Sequence, residues 1–157
     1  MKFRELPHAL TVFATVLWVG GMWAIGYLAV PVLFQALSDR QLAGMLAGKM
    51  FSLMAFVGLG CALYLLGHQL QQYGKLAWQQ VTFRIVLGML FLLLLGQFLL
   101  QPMMADLKLR ALPLEVVQST FAAQFKLWHG VASILYLAQS ILGLALIFGL
   151  KRGHHAE

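Results

Sequence analysis

His129, Ser133, Tyr136, Ser140 and Gly143 recur at steps of three and four residues, which places an imidazole, a phenol and two hydroxyls on one face of a helix. Such a set can hydrogen-bond a ligand, and an imidazole can ligate haem or a metal. The residues around them are apolar, and lipid cannot satisfy a polar side chain, so this face turns toward other helices. Two arrangements answer that need. One is hydrogen bonding to a neighbouring helix that fixes the packing; the other is a polar-lined cavity with His129 at its mouth.

Further candidates stand at the ends of the other apolar stretches. In an up-and-down chain His8 and His68 lie at one level, where they could face each other across haem b. Arg84 shares a helix face with Gly88 and Gly96, with Gln97 and Gln101 toward the other end. An arginine one turn inside the hydrocarbon either snorkels to lipid phosphate or, turned inward, holds an anionic group such as a haem propionate. An interfacial histidine is likewise either a ligand or a solvated hydrogen-bonding group. No Asp or Glu lies within an apolar stretch to pair with Arg84 or to relay protons. Ion-coupled transport usually needs such a group, or a broken helix at midplane, and neither is evident. Met50 and Met54 alone share a face at close spacing, so no methionine ladder for copper and no metal site is expected.

The elements that must position these residues are four apolar runs, Ala9–Phe34, Met50–Leu66, Val81–Leu100 and Val131–Leu150, each near the ~17–25 residues that cross a bilayer. The chain has 157 residues, 61% of them hydrophobic and 10% charged, a balance that water does not solvate. The expected fold class is an all-α integral membrane protein of one domain. It is a four-transmembrane-helix up-down bundle with extended helices between spans and a short basic tail over residues 151–157. The first run follows Lys2 and Arg4 as a signal peptide would, but it outlasts the ~7–15 residues of a signal h-region and continues through Pro31, which marks a retained helix. Cys61, the single cysteine, is placed mid-span as a small buried hydrophobe, with no disulfide available to it. The net charge of +6 is scattered over several polar segments, which is a topology signal rather than a nucleic-acid surface.

Four spans put both termini on one side. Lys2, Arg4, Lys75, Arg84, Lys151 and Arg152 share that side, against Arg40, Lys49, Lys108, Arg110 and Lys126 opposite. That excess of one places the termini in the cytoplasm, as in a bacterial inner membrane. Trp78 and Trp128 fall where interfacial indoles are common.

Ser38-Asp39-Arg40-Gln41 fits a capping box, so a helix is expected to start there and run through Gly44 and Gly48 into span two. Gly44 and Gly48, with Ala43 and Ala47 beside them, form a small-residue face that suits close helix contact within the bundle or between protomers. Pro113 predicts the first turn of another helix, carrying Leu114, Val117, Phe121, Phe125 and Trp128 on one side before span four. In span one, Trp18, Gly20, Gly21, Met22, Trp23, Gly26 and Tyr27 alternate glycines with large side chains, leaving room for a neighbouring backbone or a flat ligand. Pro31 is expected to kink or stop that helix.

Trp18-Val19-Gly20-Gly21 followed by Pro31-Val32-Leu33-Phe34, the Leu-Ala-Gly-x3-Gly-x2-Phe run from Leu42 to Phe51, and Leu127-Trp128-His129-Gly130 resemble the transmembrane protein 205-like domain family. The likeness runs in order over nearly the whole chain. It implies a small four-helix membrane protein of undefined activity, with distant similarity to copper-resistance D-like proteins and to the bacterial membrane protoporphyrinogen oxidase. The oxidase carries a first-helix histidine where this chain has Thr11, so that ligand does not carry over.

The functional expectation is a non-enzymatic bundle that binds a small ligand or a partner, in stress or metal tolerance. A haem-binding redox protein using His8, His68, His129 and Arg84 is one alternative. A transporter of small solutes or metals, assembled as an oligomer through the glycine faces, is the other. Packing or cavity roles are expected of Trp18, Gly20, Gly21, Trp23, Pro31, Gly44, Gly48, Ser133, Tyr136 and Ser140, with the lipid bilayer and a second copy or a membrane-complex partner as neighbours.

Overall fold

The computed structural model describes residues 6–112 and 118–153, and every element among them is helical. Span one is α1 (Leu6–Trp23), a π-helical segment (Ala24–Ala29) and α2 (Val30–Ala36). Span two is α3 (Arg40–Tyr73), closed by a 3-10 turn at Gly74–Gln79. Span three is α4 (Val81–Leu94), a second π segment (Leu95–Leu100) and α5 (Gln101–Ala111), and span four is α6 (Ala122–Gly153). All four are long and apolar enough to cross a membrane. The protein is therefore an all-α integral membrane protein. Lys2, Arg4, Pro113, Leu114, Val117, His154 and His155 lie outside the described residues.

The 34 residues of α3, at ~1.5 Å each, exceed the ~30 Å hydrocarbon core, so the helix projects beyond it. Its N-cap is Asp39, one residue later than the capping box predicted. The Asp39 carboxylate accepts from the backbone N–H groups of Gln41 and Leu42 at 2.8 and 3.0 Å. Gln41 thus contributes its main chain rather than a side chain reaching back, because the carboxylate already satisfies the free donors. At the other end Gly74, the one positive-φ residue among those described, donates its N–H to the Leu70 carbonyl and stops α3. The helix expected from Pro113 is described only from Ala122. Before it the Ser119 hydroxyl accepts from the Phe121 N–H at 3.2 Å, a local turn that competes with helix and leaves Phe121 outside it.

Pro31 and Pro102 neither stop nor break their spans. Each stands two residues after a π segment, in which Val30 and Gln101 donate to the carbonyls five residues back, Ile25 and Gly96. A proline cannot donate to the carbonyl four residues back, and its ring crowds that carbonyl. The widened turn absorbs one extra residue and lets the helix continue, a local irregularity that spans one and three share.

Span one packs chiefly on span two, span two on span three, and span three on span four along α4. The centre is built from Trp18, Val19, Leu65, Val86, Met89 and Leu146, with Cys61 buried among them. This core belongs to the end of the bundle that carries both termini, called the terminal end below. Past the π segment of span three, α5 and α6 touch only sparsely. The spans diverge there, toward the end formed by residues 37–39 and 112–121, called the loop end.

Candidate ligand cavity

The divergence opens a partly enclosed cavity of about 230 Å³ among all four spans. Trp18 and Met22 come from span one, Phe51, Met54 and Ala55 from span two, and Leu92, Leu93, Gly96, Gln97, Leu100, Gln101 and Met104 from span three. Span four adds His129, Ala132, Ser133, Leu135, Tyr136 and Gln139. The wall is mainly apolar and crossed by neutral polar groups. A Cβ built on Gly96 meets nothing within 4 Å, so the missing side chain leaves part of this space.

Most of the polar groups hold the helices apart at fixed distance. Ser52 and Gln97 exchange hydrogen bonds at 3.2–3.3 Å, and the Gln101 amide donates to the Gly48 carbonyl at 3.0 Å. Seven residues further along the same face of span three, the Lys108 ammonium donates to the Gly44 carbonyl at 3.2 Å and lies 5.7 Å from the Phe125 ring centroid. Across the cavity the Tyr136 hydroxyl donates to the Met22 carbonyl at the start of the first π segment. The Tyr27 hydroxyl reaches Ser140 at 3.0 Å, and Tyr27 and Phe51 set their rings edge-on to Tyr136, centroids 5.6 Å away. Tyr136 fits because Gly26 has no side chain: a Cβ there would clash with the phenol oxygen.

The polar face of span four thus serves both arrangements open to it. Tyr136 and Ser140 tie it to span one, while His129, Ser133 and Tyr136 also line the cavity. Ser133 returns its proton to the His129 carbonyl at 2.9 Å, and the exposed His129 ring stacks on Phe125. Gly20 faces open space, whereas Gly21 receives the Met54 sulfur, 2.8 Å from where a Cβ would stand. Trp18 is 1% exposed and packs against Gly58. Trp23 is half-buried, and its indole N–H has no hydrogen-bond partner. Gly44 and Gly48 face Lys108 and Gln101 of the same chain. What approaches their small surface is therefore a pair of long donor side chains rather than another backbone.

Gln139 and Ser52 were not among the residues singled out from the sequence. Gln139 follows Tyr136 by three residues on the same side of α6, and an amide amid so apolar a run was the available signal. Ser52 carried none, since a lone serine in a membrane helix normally bonds its own backbone.

The structure does not gather into one site the four residues expected to hold a haem. The groove beside His68 is walled by Pro7, Leu10, Leu63, Tyr64, Gly67 and Gln71 without His8. The His68 ring lies parallel to Tyr64 at 6.1 Å, and Tyr64 itself bonds the Pro7 carbonyl. Arg84 is exposed on α4, and His129 belongs to the opposite end. No cluster of three or more His, Cys, Asp or Glu that could hold a metal ion occurs among the described residues.

Residues 13–113, which run from span one past the end of span three, match the family model named Domain of unknown function (DUF4149). The chain belongs to the DUF4149 family. No curated protein and no solved structure matches it. The DUF4149 match takes in Trp18, Phe51, Gly96, Gln97 and Gln101, and so three of the cavity's four walls. Its fourth wall, from His129 to Gln139, lies beyond the matched stretch. The lining contains no carboxylate, thiol or lysine, and its two hydroxyls, Ser133 and Tyr136, are already committed as donors to backbone carbonyls. His129 is the one lining side chain of a kind that exchanges protons near neutral pH.

Proposed function

We propose that this DUF4149 protein is a non-enzymatic membrane component that binds a small amphipathic ligand inside its helical bundle. The observation that carries the reading is the cavity at the loop end, apolar over most of its wall and crossed by neutral polar groups from spans three and four. Its volume of about 230 Å³ falls below the ~300–1,000 Å³ typical of drug-sized ligands. It suits a compact molecule, or the head of a longer one whose chain leaves between α5 and α6. The distant similarity to copper-resistance D-like proteins that the sequence resemblance implies is what suggests placing such binding in stress or metal tolerance. The distribution of basic residues supports cytoplasmic termini in a bacterial inner membrane.

The test is native mass spectrometry of protein released from mild detergent. The wild type should carry one small adduct. Gly96→Phe, which fills the cavity, should lose it, and Gly20→Phe, on the open outer face, should keep it. An adduct unchanged in Gly96→Phe, or none in any form, overturns the proposal.

A further inference from the structure

Gln139 is 9% exposed and lines the cavity, yet its carboxamide hydrogen-bonds none of the described residues, unlike Gln97 and Gln101. A primary amide keeps two donors and an acceptor, and the Gln139 polar atoms are not closed off as the Trp23 indole N–H is. The cavity is the direction from which a partner can reach it. Nearer the mouth, Ser133 gives its proton to the His129 carbonyl and so offers an oxygen acceptor, while the Tyr136 oxygen is taken up against Gly26 and the Met22 carbonyl of span one. Among the lining residues only His129, at the mouth, can carry charge. An ion seated beside Gln139 would be desolvated without a counter-charge, which an apolar surrounding penalises heavily.

Building on the cavity-binding proposal, we propose that the site selects an uncharged amphiphile whose head group both donates and accepts hydrogen bonds, a carboxamide or an alcohol. The head sits on Gln139, and the apolar chain runs along Leu100 and Met104 toward the gap between α5 and α6. Charged lipids and detergents of equal chain length are rejected because the lining offers them hydrogen bonds of the right kind but no neutralising partner.

The experiment is photolabelling of the full chain in lipid nanodiscs at pH 8 with three diazirine probes of one chain length: decanamide, decanoate and decyltrimethylammonium. Decanamide should label peptides from residues 92–104 and 129–139, at least about tenfold over either ion. Gln139→Leu, which keeps the volume, should lower that labelling about tenfold, the loss expected for an amide's hydrogen bonds. Equal labelling by all three probes, or labelling unchanged in Gln139→Leu, overturns the head-group proposal and leaves the cavity reading standing. No cavity labelling by any probe overturns the cavity reading itself. Should Gln139→Leu fail to fold, the wild-type preference among the three heads decides alone.

Discussion

At the terminal end, Val19, Leu65, Val86, Met89 and Leu146 are each no more than 2% exposed, and glycines seat the neighbouring side chains: Gly58 takes the Trp18 indole and Gly143 the Val19 methyls. At the loop end the same four spans enclose a cavity, two helices widen into π segments, and contact passes through long polar side chains, Gln101, Lys108 and Tyr136. Lipid is as apolar as leucine, so spans gain little from hiding leucine and associate through close packing and interhelical hydrogen bonds. The two ends divide those forces between them. Dense packing at one end holds the bundle together, which leaves the other free to keep a hollow that packing would otherwise close.

The sharpest way to break this comparison is to make one chemical change at both ends. Leu146→Ala, at the packed end, should destabilise the protein by ~2–4 kcal/mol, since the neighbours cannot collapse onto the space left. Leu135→Ala, on the cavity wall, enlarges a space that already exists and should cost less than ~1 kcal/mol. Unfolding of the two variants in mixed micelles, followed by circular dichroism, measures both. Equal costs would mean that the loop end is as tightly bound as the terminal end.

The four spans were legible because hydropathy reports the solvent of each segment directly, and the membrane leaves helices as the answer for a chain of this kind. The Asp39 cap was legible to within one residue. The π segments were not: Pro31 and Pro102 announced an irregularity, but whether a helix stops, kinks or widens depends on how the neighbouring spans pack against it. Beside the first π segment that neighbour is Tyr136, more than a hundred residues away in the chain, whose hydroxyl donates to the Met22 carbonyl. The face of span four from His129 to Ser140 could be read from its period. Which members tie helices together and which face the hollow depended on how far α6 leans from α5, a tertiary fact that no local pattern carries. The same limit hid Gln139, whose place on the cavity wall exists only once the four spans are assembled.

A smaller effect tests whether the first π segment is held open by its neighbour. Gly26→Ala drives a methyl into the Tyr136 phenol and should cost ~1–3 kcal/mol through overpacking. The same change in a Tyr136→Ala background should cost almost nothing, and the difference is the coupling between the segment and span four. Gly20→Ala, where a Cβ meets open space, should be neutral or slightly stabilising, because alanine favours helix over glycine. Equal costs for Gly26→Ala in both backgrounds would detach Tyr136 from the shape of span one.

The smallest effect concerns the polar contacts that keep the loop end apart. Gln101→Leu removes the bond to the Gly48 carbonyl but leaves that carbonyl its place in the α3 ladder, so the loss should be near the ~0.6 kcal/mol typical of hydrogen bonds between membrane helices. Its larger consequence should be geometric. Without an amide spanning from α5 to Gly48, spans two and three can approach, so the rate of thiol cross-linking between Gly48→Cys and Met104→Cys should rise in the Gln101→Leu background relative to Gln101. An unchanged rate would mean that the cavity owes its width to the π segments and prolines alone, and that the glutamine answers a need for hydrogen bonding without setting the spacing.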